Sequence, residues 1–105
     1  MKELSLRPYH GRLFIVSSKE EYEKCHAKLF KTLDVLPRDQ AGRFTGDEGK
    51  DGLWTYLIWA KDAPQLAHEL THVLFHVWER CGMDPRDSGG EAFCYMLSQL
   101  MIDAK

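Results

Sequence analysis

Residues 53–81, LWTYLIWAKDAPQLAHELTHVLFHVWERC, carry two periodicities in one run, and the change between them decides the fold. In residues 53–60 both alternate sets are apolar: Leu53, Leu57 and Trp59 on one side, Trp54, Tyr56 and Ile58 on the other. A strand of that kind is covered on both faces. Beyond it the repeat becomes helical. At about 100° per residue, Leu66, Leu70, Val73, Leu74, Val77 and Cys81 fall in one sector, the expected core face. Asp62 and Gln65 stand at capping-box spacing, with Pro64 in the first turn, where its missing N–H costs nothing. The helix is predicted to start there and to end near Cys81, with Gly82 as its stop.

Working outward, RLFIV at 12–16 reads as a short strand. Ser17 and Ser18 precede Glu20 and Glu21 at capping spacing and open a helix. Tyr22, Cys25, Leu29, Phe30 and Leu33 form its apolar stripe, and Pro37 lies beyond its end. Residues 42–52, GRFTGDEGKDG, hold four glycines among charges and read as a turn or flexible loop. It would join a weak strand near 41–45 to the strong strand at 53–60. On the other side, 83–90 (MDPRDSGG) is expected to be a loop. A last helix over about 90–103 follows, with Phe93, Met96, Leu97, Leu100 and Met101 as its apolar side. The whole chain, 1–105, is then one α+β domain with a small antiparallel or mixed sheet and three helices.

The net charge of −2 gives no reason to expect nucleic acid or an anionic membrane as partner. Cys25, Cys81 and Cys94 are odd in number and lack CxxC spacing, which argues against a disulfide framework and for a reducing compartment. Each is expected to be a small buried hydrophobe. MKELSLRPYHGRLF has no signal-like apolar run, and no stretch approaches the roughly 18 apolar residues of a membrane span. The expected location is the cytoplasm.

The polar side of the 62–81 helix holds the candidate chemistry. His68 and His72 lie one turn apart, opposite the core sector, with His76 and Glu79 near them. The i, i+4 spacing lets two imidazoles converge on one ion, and Zn²⁺ accepts such nitrogens at about 2.0–2.1 Å. Glu69, one residue round, is placed to take a proton from a water on the metal without being a ligand itself. A catalytic zinc needs a third protein ligand. Among Glu91, His76, Asp84, Asp87, Cys81 and Cys94, Glu91 is the strongest candidate. It opens the next helix, which can fold back antiparallel across an eight-residue loop. Its competing role is to complete a capping box with Ser88.

HELTH at 68–72, followed by eighteen residues and Glu91 in GGEAFCYML, resembles the gluzincin pattern of zinc metallopeptidases. The compact arrangement also resembles minimal zincin-like proteins encoded by bacteriophages and prophages. The resemblance covers about residues 10–102, and its specific part is 53–97. It implies a zincin-like fold, Zn²⁺ held by His68, His72 and Glu91, and Glu69 as general base. It implies a peptide or protein as substrate, paired with the strand before the active helix, here 53–60. Two features depart from the pattern. Tyr95 stands where many gluzincins carry an acidic residue that orients the first histidine. Only one helix is expected after Glu91, so an oxyanion donor must come from Tyr95, His76, Tyr56 or His10. The expected function is zinc-dependent peptide-bond hydrolysis, helped by a protein partner or self-association where the site is incomplete. The alternative is a non-catalytic binding protein of the same fold, with structural zinc or none.

Overall fold

The computed structural model describes residues 1–105. Its elements are β1 (Lys2–Leu4), β2 (Arg12–Val16), α1 (Lys19–Leu29), β3 (Gly42–Glu48), β4 (Trp54–Ala60), α2 (Ala63–Arg80) and α3 (Glu91–Asp103). The four strands form one mixed sheet in the order β1-β2-β4-β3. β4 runs parallel to β2, with Phe14 opposite Leu57, and antiparallel to β3, with Phe44 opposite Ile58. The chain is α+β as expected, and no helix is long and apolar enough to cross a membrane.

The double apolar alternation of β4 produces two cores. Tyr56 and Ile58 pack with Leu13 and with Leu70, Val73, Leu74 and Val77 of α2 and Leu100 of α3. Leu57 and Trp59 pack with Phe14, Val16 and the α1 residues Tyr22 and Cys25. The sheet is therefore covered by α1 on one face and by α2 and α3 on the other. Thr55 through Trp59 are all buried, as a central strand requires.

Several sequence expectations are corrected. The 42–52 stretch is not loop throughout, because 42–48 is strand β3. Two of its glycines are there for close packing. A Cβ on Gly42 would come within 2.6 Å of Gln65, and one on Gly46 within 2.7 Å of the Tyr56 ring. β1 was not anticipated, being three residues with two exposed charges. α1 stops at Leu29, and Leu33 is 78 % exposed rather than part of the stripe. Ser18 does cap α1, accepting the Glu21 N–H at 3.1 Å. Only Cys25 is buried, while Cys81 and Cys94 are exposed. Cys81 falls on the cap of α2, past the last turn that packs on the sheet.

Candidate metal centre

α2 positions the site. Asp62 Oδ1 accepts the Gln65 N–H at 2.9 Å and fixes where the helix begins. The apolar sector of α2 then settles on the sheet, which leaves His68 and His72 exposed. Their Nε2 atoms converge to 3.2 Å. Two nitrogens bound tetrahedrally at about 2.0–2.1 Å from one zinc lie roughly 3.3 Å apart, so the spacing suits a shared ion. The rings meet nearly edge to face, at 83°. His72 is held from one side by Phe44 of β3, stacked at 5.4 Å and 8°.

Glu69 lies between this pair and the sheet. It is only 5 % exposed, and its Oε2 has no hydrogen-bond partner. Burial pushes its carboxyl above the ordinary glutamate range, and His68, His72 and Arg43 pull in the other direction. Donor atoms of His68, Glu69 and His72 all lie within 4.8 Å of one another. An unpartnered buried carboxylate oxygen beside two converging imidazoles is a donor set that fits a divalent cation.

Glu91 is outside that group. It is the first residue of α3, exposed, and its carboxylate makes neither a hydrogen bond nor an ion pair. The capping role is not made: α3 starts from Gly90 in left-handed conformation without a side-chain cap, and Ser88 itself has φ 55°. Phe93, two residues on, packs on Phe75 at 5.0 Å and on Trp78 at 5.3 Å. The first turn of α3 therefore lies beside α2 about one turn past His72. Of the other candidates, Asp84 is paired with Arg86 at 3.0 Å, and His76, Asp87, Cys81 and Cys94 are outside the group.

The edge available to an extended peptide also differs from the expectation. β4 has neighbours on both sides and cannot accept another strand. β3 is the outer strand, and its apolar contact with α2 runs through Phe44 and His72. Sequence reasoning missed the network behind the site, in which Tyr56 links His76 and Arg80. The signal was Gly46, whose missing side chain makes room for the Tyr56 ring.

No protein-family model, curated protein or solved structure matches this chain.

Proposed function

We propose that the chain is a minimal zinc-dependent metallopeptidase. The observation that carries this reading is the pair of Nε2 atoms 3.2 Å apart beside the buried, unpartnered carboxylate of Glu69. His68 and His72 would be the nitrogen ligands of the ion, and Glu91, at the start of the neighbouring helix, would be the third protein ligand. Zinc in such a site polarises the substrate carbonyl and lowers the pKa of water toward about 7.

Glu69 performs the proton work. It takes a proton from the attacking water as the new C–O bond forms at the peptide carbon. As the C–N bond breaks, it passes that proton to the leaving amine. The substrate is a peptide or protein whose backbone lies along the free edge of β3, next to Phe44 and His72.

Glu69→Gln is expected to keep zinc and lose hydrolysis of a peptide library. Retained turnover in the zinc-loaded variant would remove Glu69 from the mechanism. Glu91→Ala is expected to weaken zinc at least tenfold, and equal zinc affinity would remove Glu91 from the ligand set.

Two observations favour a second reading, a non-catalytic binding protein of this fold. Glu91 lies outside the ligand group, and the two imidazoles have no protein hydrogen bond beyond their mutual contact. Zinc bound at about one per chain with no substrate cut would select this reading.

A further inference from the structure

His76 lies one turn beyond His72 on α2 and belongs to no part of the metal group. Its ring is held in place on two sides. One face stacks on Trp54 at 5.2 Å and 12°, and Nδ1 is 2.8 Å from the Tyr56 hydroxyl. That hydroxyl is 3.0 Å from Nε of Arg80, whose Nη2 donates to the His10 carbonyl at 2.7 Å. A guanidinium only donates, so the Tyr56 oxygen accepts from Arg80. The phenol has one proton to give, and His76 Nδ1 is the acceptor within reach. With Nδ1 accepting the phenol proton, the neutral ring would hold its own proton on Nε2, across the ring from Tyr56. Tyr56 cannot drift to relax this arrangement. It is fully buried, with the Gly46 backbone pressed against its ring.

β3 runs in step with α2. Gln65 meets Gly42, His72 meets Phe44, Tyr56 meets Gly46, and Trp54 pairs with Glu48. His76 thus sits one helical turn farther along α2 than the metal group, over the start of β4. One helical turn of about 5.4 Å equals roughly two residues of extended peptide at about 3.3 Å each. The geometry points to His76 Nε2–H as a substrate-binding donor that takes a backbone carbonyl oxygen of the peptide about two residues from the bond being cut. This assignment rests on the metallopeptidase reading and adds to it a subsite that reads peptide length.

The test uses zinc-loaded protein and hydroxamate probes, so it does not depend on turnover. Acetohydroxamate reports the metal alone. Two longer probes carry about three residues on one side or the other of the hydroxamate. His76→Phe keeps the aromatic stack and removes both nitrogens. It is expected to leave acetohydroxamate affinity unchanged and to weaken one of the two long probes about tenfold. Unchanged affinity for both long probes overturns the subsite and leaves the metal reading standing. No zinc-dependent binding of acetohydroxamate to the wild type overturns both. Nitrogen-15 NMR of the unsubstituted protein gives a second readout. A proton on Nε2 is expected, and a proton on Nδ1 overturns the assignment whether or not the variant folds.

Discussion

Glu69 gains its character from its place one residue round the helix from two exposed histidines. The turn that brings His68 and His72 to the surface carries Glu69 to the margin of the sheet, where it is 5 % exposed. Leaving a polar atom buried without a partner costs on the order of 1–3 kcal/mol, a cost that a water hydrogen-bonded to Glu69 at an occupied site would relieve. A different buried group is satisfied within the protein. The Tyr22 hydroxyl donates to Asp34 at 2.9 Å and also meets the Thr45 hydroxyl, while Asp34 holds Arg43 at 3.0 Å. Burial, the largest cause, pushes the Tyr22 phenol well above its ordinary value of about 10. Its folded-state pKa is raised, so its contribution is fully present below about pH 10 and is lost as pH rises beyond the unfolded value. Urea titrations from pH 8 to 11 are expected to show an alkaline loss of stability that Tyr22→Phe reduces. An identical loss in both proteins would place the alkaline sensitivity elsewhere.

At the scale of elements, β4 and α2 were legible because each carries a strong signal of its own. β4 is apolar on both faces, and α2 has an Asp62 cap, a single apolar sector and a Gly82 stop. The Asp62 cap, the buried run 55–59 and the exposure of His68 and His72 all match that reading. β3 was not legible over its full length. It is an edge strand, half exposed, and its glycines answer contacts from Gln65 and Tyr56 that are distant in sequence. The start of α3 was legible to within one residue, but its cap was not, for a related reason. Ser88 and Glu91 have capping spacing, but left-handed backbone at Ser88, Gly89 and Gly90 turns the chain before the helix begins. Gly46→Ala tests the close approach in β3. A Cβ there would lie 2.7 Å from a ring that cannot move, so a loss of about 1–3 kcal/mol is expected by denaturant unfolding. A loss within about 0.5 kcal/mol, the usual range for a surface change, would mean that Tyr56 is free to shift.

For the whole molecule, the sheet divides the apolar residues into two cores, and the His68, Glu69 and His72 group sits where α2 passes β3. Leu57 lies at the centre of the α1-side core, fully buried, whereas Leu33 is 78 % exposed. Leu57→Ala is expected to cost about 2–5 kcal/mol, and Leu33→Ala no more than about 0.5. Similar losses would contradict the two-core arrangement. The candidate site was readable in part because helical periodicity alone sets the relation of His68, Glu69 and His72. Glu91 depends on how α3 is set against α2, which the chain decides through the aromatic contacts of Phe93 with Phe75 and Trp78. The claim beneath all of this is that His68 and His72 share one zinc ion. Metal analysis of the purified protein after dialysis, beside His68→Ala, tests it most directly. About one zinc per chain in the wild type and almost none in the variant is the predicted result. Equal and negligible zinc in both would contradict it.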